Sequence, residues 1–363
     1  MKFVRLVTIV LALNILFSGT VFAKSYSDVP SNYKYLKSIS ALSDGGVVKG
    51  YADGSFKPEK QINRAEAIKI LIESQYEDNV INSALLSNHS ATIRFPDVKV
   101  GQWYDKYVEI AYLNKIIKGY PDGTFRPSDK INFAEALKVI LESYNITPRY
   151  TSFEENKLLY VNNGDWFKNY FTYASKHNLI NQNKFYHPSQ LITRGEFAEI
   201  IYRLESMLES GLSEYTTSTN PTSNEYTVTI PKLKIINLPV FFADPHNEQS
   251  ALEILKKGIG HYLAEPGGGK KLVLFGHSSG YSWDNSPYKT ILKSIDKLNN
   301  GDRIYLNYKE KGYVYEIFKS DIIPQSQDLK IVENPNANEL ALYTCWPPNS
   351  ISQRYVVYGK PVL

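Results

Sequence analysis

Gly50–Pro58 reads GYADGSFKP and Gly119–Pro127 reads GYPDGTFRP, which places the Asp-Gly pairs at Asp53 and Asp122 69 residues apart. Ile62–Glu66 (INRAE) and Ile131–Glu135 (INFAE) recur at the same offset. A degenerate third copy follows. There Phe185-Tyr186-His187-Pro188 replaces the turn, and Ile192–Glu196 (ITRGE) replaces the helix start, 61 residues on. Asp28-Val29 and Asp97-Val98 open the first two copies, and Trp103 and Trp166 match between the second and third. The copies span about 24–80, 92–145 and 158–208. One such unit cannot bury its own apolar face, so the three are expected to pack together.

Each copy has the same local logic. Asp-Gly is a tight-turn signal, with glycine supplying positive φ. Asn63, Asn132 and Thr193 then stand as helix N-caps with Glu three residues later, the pattern of a capping box. Apolar residues follow at helical spacing: Ala67, Ile70 and Leu71 in the first copy, Phe197, Ile200 and Ile201 in the third. The preceding segment, such as Tyr107–Ile117, reads as a second helix. A copy is thus helix, loop with turn, helix, and its Trp and Phe positions read as core.

These strings resemble the S-layer homology family over about 185 residues. The resemblance implies an α-rich three-repeat bundle that binds secondary cell-wall polysaccharide, often pyruvylated. It assigns the anion contact to an arginine at a helix start, where a guanidinium sits beside free N–H groups. By position this is Arg64 and Arg194, and the second copy has Phe133 instead. Asp28 and Asp97 complete the candidate polymer-binding set.

Residues 209–225 (ESGLSEYTTSTNPTSNE) carry no apolar period and read as a linker. From 226 to 363 the texture becomes β-rich, with short strands expected at Tyr226–Ile230, Leu233–Ile236, Lys271–Phe275, Arg303–Tyr308, Tyr313–Phe318, Glu339–Thr344 and Tyr355–Tyr358. An amphipathic helix is expected at Pro287–Leu298. Seven or more strands in a region of this length suggest a compact β-barrel.

Two nucleophiles compete in this half. Lys271–Gly280 (KLVLFGHSSG) is a strand followed by the G-x-S-x-G string around Ser278. That arrangement needs a histidine later in the chain, and the last of the six, His277, precedes the serine. Cys345 is the stronger candidate. It ends an apolar strand, Arg354 follows nine residues later at the head of another, and His277 ends a third. Histidine or arginine can favour a thiolate, and a fixed guanidinium can face a tetrahedral oxyanion. His246 and His261 have no matching partners and read as structural or solvated.

Ala341–Cys345 (ALYTC), Phe275-Gly276-His277 and Gln353–Val357 (QRYVV) together resemble the sortase family across roughly 226–363. The resemblance implies a cysteine transpeptidase, a hydrolase-type enzyme acting on peptide bonds. Cys345 would attack the Thr–Gly bond of an LPxTG-like sorting signal. His277 would protonate the leaving amine, and Arg354 would hold the substrate and its oxyanion. An amine on a peptidoglycan precursor or a pilin would resolve the acyl-enzyme. Ala341 departs from the family's threonine, and the short Cys-to-Arg loop resembles class D or E more than class A. No acidic cluster commits the domain to calcium. No cofactor or metal is expected, and calcium is left open.

Lys2 and Arg5, the apolar run Leu6–Phe17 and Val21-Phe22-Ala23 read as a signal peptide over 1–23, which makes the mature chain extracytoplasmic and wall-associated. Left uncleaved, that segment would be a membrane anchor. A single cysteine excludes an internal disulfide and any Cys-based metal site. Net charge is only +4, which does not suggest nucleic acid as a partner. The expected architecture is therefore multidomain: an α-rich bundle followed by a sortase-type β-barrel. The competing reading is a structural or adhesive wall protein with an inactive barrel.

Overall fold

A computed structural model describes residues 25–77, 79, 81, 95–150, 156–216, 225–243, 248–280, 285–332 and 337–362. The segment expected to direct export, His246 and residues 217–224 of the linker lie outside the described residues. The chain divides into two compact units. The first is Met1–Glu154, Val161–Asn181 and Pro188–Pro221, and the second is Glu155–Tyr160, Gln182–His187 and Thr222–Leu363.

The first unit is helical: α1 (Leu36–Asp44), α2 (Arg64–Gln75), α3 (Asp105–Leu113), α4 (Phe133–Ser143), α5 (Lys168–Lys176) and α6 (Arg194–Ser210). Asn63, Asn132 and Thr193 cap α2, α4 and α6, each in a complete capping box with Glu66, Glu135 or Glu196. Just before these helices the backbone closes a ring. The N–H of Ile131 donates to Ile62, that of Ile192 to Ile131, and that of Ile62 to Ile192, at 3.2, 3.4 and 3.2 Å. Arg64, Phe133 and Arg194 repeat the cycle one step on, their N–H groups donating to Asp129, Gln190 and Lys60. The third copy occupies its place in this cycle despite its altered turn. Trp103 and Trp166, expected in the core, are instead 50% and 56% exposed. Each indole makes a T-shaped contact with the ring that follows it, Tyr104 or Phe167, while the phenylalanines Phe56, Phe125 and Phe133 fill the interior.

The second unit is a closed barrel. Its strands are β1 (Tyr226–Ile230), β2 (Ile235–Phe242), β3 (Ile259–Leu263), β4 (Leu272–Phe275), β5 (Arg303–Tyr308), β6 (Lys311–Pro324), β7 (Leu340–Trp346) and β8 (Gln353–Pro361), with α7 (Glu248–Leu255) between β2 and β3. Their order around the barrel is β1-β2-β3-β4-β7-β8-β6-β5, closed by β1 against β5. Val228, Leu274, Leu306, Leu342 and Val357 alternate inward and form the core. The expected helix at Pro287–Leu298 is absent. This segment runs as turns ending in a 3-10 turn at Ile295–Lys297. Leu292, Ile295 and Leu298 reach the barrel core at intervals of three, the period of a 3-10 helix rather than an α-helix.

Two short pieces of the third copy belong to the barrel unit. The side-chain amide of Asn307 accepts from the Phe185 N–H at 2.8 Å and donates to the Phe185 carbonyl at 3.0 Å, as a neighbouring strand would. The Phe185 ring stacks on Tyr305 with centroids 4.0 Å apart, and Lys184 pairs with Glu225 at 2.6 Å. Replacing the Asp-Gly turn by Phe185-Tyr186 supplies the apolar side chain this contact requires.

Buried groups in the two units respond to acid in opposite senses. In the barrel unit burial lowers His187 to about 4 and also depresses His261. Between the unfolded value near 6.5 and these folded values the unfolded chain binds more protons, so stability is full above 6.5 and is lost as pH falls. In the helical unit Glu205, buried beneath the Tyr144 hydroxyl, is raised to about 7. There the folded state binds more protons, and stability increases as pH falls from 7 toward 4.5. Hydrogen exchange, corrected for intrinsic rate, is expected to show β4 losing about tenfold protection from pH 7 to pH 5 while α6 gains.

Candidate functional site

Register brings the three candidate catalytic residues to one end of the barrel. β4 and β7 run parallel, from Leu272 opposite Leu340 to Phe275 opposite Tyr343. His277, two residues past β4, and Cys345, two residues past Tyr343, continue that alignment. β7 and β8 run antiparallel and pair Cys345 directly with Arg354. Local bonds fix the His-bearing turn. Thr344 donates its hydroxyl to the Gly276 carbonyl at 2.7 Å, and the Leu292 N–H donates to the His277 carbonyl at 2.9 Å. Gly276 permits this closeness, since a Cβ there would meet Ile259 and Leu292 side-chain carbons at 2.9 Å.

His277, Cys345 and Arg354 line one cavity of about 1020 Å³, walled by Tyr262, Phe275, Tyr343 and Ile351 among others. Both Cys345 and His277 are half-buried, as a group that must meet solvent-borne substrate needs to be. The Arg354 guanidinium donates through Nη1 to the carbonyls of Ile351 and Gln353 at 2.8 and 3.1 Å. Its Nη2 lies 3.0 Å from Asp328 Oδ2. Burial raises the phenols of Tyr262 and Tyr343, so both are neutral at pH 7. Burial likewise raises Asp328, and the Arg354 charge pulls it back. Ser278, the competing nucleophile, is only 1% exposed. No group of three His, Cys, Asp or Glu among the described residues is arranged to hold a metal ion.

The candidate polymer-binding residues separate into two kinds. Asp28 accepts from the N–H groups of Phe56 and Lys57, and Asp97 from those of Phe125 and Arg126. Both carboxylates thus brace the turn of their own repeat. Arg194 donates to the carbonyls of Phe56 and Lys49 at 3.0 and 2.7 Å. Arg64 donates through Nε to the Phe125 carbonyl at 2.8 Å and stacks on Tyr120 at 4.6 Å. Arg64 also lines a groove of about 430 Å³ with Lys118, Tyr120, Lys138 and Trp166. Sequence reasoning missed Lys138 and Trp166 there. The repeated tryptophan was the available signal, but its period does not tell an inward from a groove-facing ring.

Residues 228–362 match the sortase-domain family. The barrel is a sortase domain. Ahead of it, the S-layer homology family matches residues 25–68 and 94–137, the first two copies. The sortase domain is similar to sortase C1 of Streptococcus agalactiae, at 25% identity over 38% of this chain and 66% of that one, with a TM-score of 0.32. It is also similar to sortase C of Clostridium perfringens, at 25% identity over 38% and 68%, with a TM-score of 0.29. About half of the chain is similar to an exoglucanase (XynX) of Acetivibrio thermocellus, 30% identical over 53% of this chain, and to an S-layer protein (sap) of Bacillus anthracis, 25% identical over 50%. The chain spans 18% and 21% of these two proteins' lengths. A sortase domain joined to S-layer homology repeats marks a sortase-like protein of the cell surface or wall. No helix among the described residues is long and apolar enough to cross a membrane.

Proposed function

We propose that the protein is a wall-tethered cysteine transpeptidase acting on LPxTG-like sorting signals. The observation that carries this reading is the cross-strand pairing of Cys345 with Arg354 at the cavity that His277 also lines. Cys345 Sγ, as thiolate, attacks the threonine carbonyl carbon of the signal, and the carbonyl oxygen takes up the electron pair. The guanidinium of Arg354 faces that oxyanion. Collapse breaks the C–N bond, and His277 gives its proton to the departing glycine amine. An acceptor amine on a peptidoglycan precursor or pilin then attacks the thioester, loses its proton to His277 and releases Cys345.

A panel of quenched LPxTG-type peptides with an amine acceptor tests the reading in the full chain. Transfer product and a covalent acyl-enzyme are expected, and no turnover with any peptide would remove it.

The repeats are proposed to hold the enzyme to secondary cell-wall polysaccharide through the Arg64 groove. There cationic Lys118 and Lys138 suit carboxylated sugars, and exposed Trp166 offers a flat face for a sugar ring. Trp166→Ala is expected to weaken retention of the protein on purified sacculi about tenfold. Retention equal to wild type would exclude this groove.

A further inference from the structure

The Arg354 guanidinium carries five N–H donors in a fixed fork. Two on Nη1 are taken by the carbonyls of Ile351 and Gln353, both within three residues of Arg354 in the chain. Both of those partners hold Nη1 alone. The third bond comes from a different element. Asp328 sits in the Gln325–Val332 segment that follows β6, and its Oδ2 meets Nη2 at 3.0 Å. That segment is itself tied to β8. Ile323 and Pro324 pair with Arg354 and Gln353, and the Gln325 N–H donates to the Ser352 carbonyl at 2.9 Å. Once these bonds are counted, Nε–H and one Nη2–H remain to face a substrate. The side chain is only 11% exposed, so little water is at hand to replace a lost partner.

From this geometry we infer that Asp328 is a positioning residue, which holds the Arg354 fork so that its two remaining donors point into the cavity where the oxyanion forms. The inference rests on the transpeptidase reading above and deepens it. Asp328 contacts Arg354 and touches no reacting atom. Its negative charge near a developing oxyanion is unfavourable, so its benefit lies in orientation alone. Charge-assisted pairs of this kind are short and directional, which suits that task.

Three variants of the full chain, assayed beside wild type with the peptide panel, test the inference. Asp328→Ala is expected to lower kcat about 10- to 100-fold with KM within about twofold, less than removal of an oxyanion donor itself. Asp328→Asn, which keeps an acceptor but loses the charge, should fall between. Asp328→Glu should recover part of the loss. The discriminating readout is alkylation of Cys345 by iodoacetamide, a displacement at carbon that forms no oxyanion. Its rate should stay at the wild-type value in Asp328→Ala, whereas a collapsed site would slow both reactions. Peptide kcat unchanged in Asp328→Ala, or alkylation slowed as much as kcat, overturns the positioning role while leaving the transpeptidase reading intact. Wild-type protein that alkylates normally but turns over no peptide overturns both.

Discussion

Cys345→Ala is expected to abolish acyl-enzyme formation and to lower peptide cleavage by about 10⁴-fold or more, the scale on which loss of a nucleophile acts. The chain makes this test unusually clean. Cys345 is its one cysteine, so any thioester, mass shift or thiol-reagent adduct reports on that position alone. The substitution removes one sulfur atom from a half-buried strand position. The β7–β8 register is held by backbone bonds and survives it. Thermal unfolding should therefore move little while activity vanishes. Intact-mass measurement after incubation with peptide gives the direct readout: wild type gains the acyl fragment and the variant does not. Cleavage that persists in Cys345→Ala would end the proposed mechanism. Cys345→Ser should resemble the alanine variant, because an unactivated hydroxyl is a far weaker nucleophile at neutral pH.

Arg354→Lys is the second large effect, expected at about 10²- to 10³-fold in kcat. A lysine keeps the positive charge but loses the fork. Its one ammonium cannot reach the Ile351 and Gln353 carbonyls, Asp328 and the oxyanion together, whereas the guanidinium meets the first three and still holds two donors in reserve. If charge alone mattered, lysine would suffice. Steady-state kinetics on the same peptides decide the point. Arg354→Lys within about threefold of wild type would show that the cavity needs only a cation.

The catalytic candidates were legible in the sequence because strands translate position into geometry simply. Nine residues separate Cys345 from Arg354, and a tight connection between two strands leaves them opposite one another. Three strand ends carrying Cys, His and Arg were therefore enough to point at one cavity. Asp328 was not legible. It lies outside any strand, and what brings it to Arg354 is the register of β6 against β8, which no local pattern announces. β3 was missed as a strand for a related reason. Gly260 looks like a turn residue, but a Cβ there would meet the Phe275 ring at 2.2 Å, so glycine serves close packing rather than a bend. At Pro287–Leu298 the expected amphipathic helix did not form, because Leu292, Ile295 and Leu298 recur every three residues, a spacing close enough to helical to be read as one.

The ring of Ile62, Ile131 and Ile192 has a consequence for how such a tether can change. In an open stack, each added repeat extends the array and copy number can drift one unit at a time. Here every copy lends a carbonyl to the next and borrows one from the last, so the circuit has no terminal member to add to or remove. Deleting a copy would leave an unanswered N–H at one neighbour and an unanswered carbonyl at the other. The set is all-or-none, and that explains how a third copy with an eroded turn can persist: its indispensable part is the short strand of backbone around Ile192, not the motif by which repeats of this kind are read.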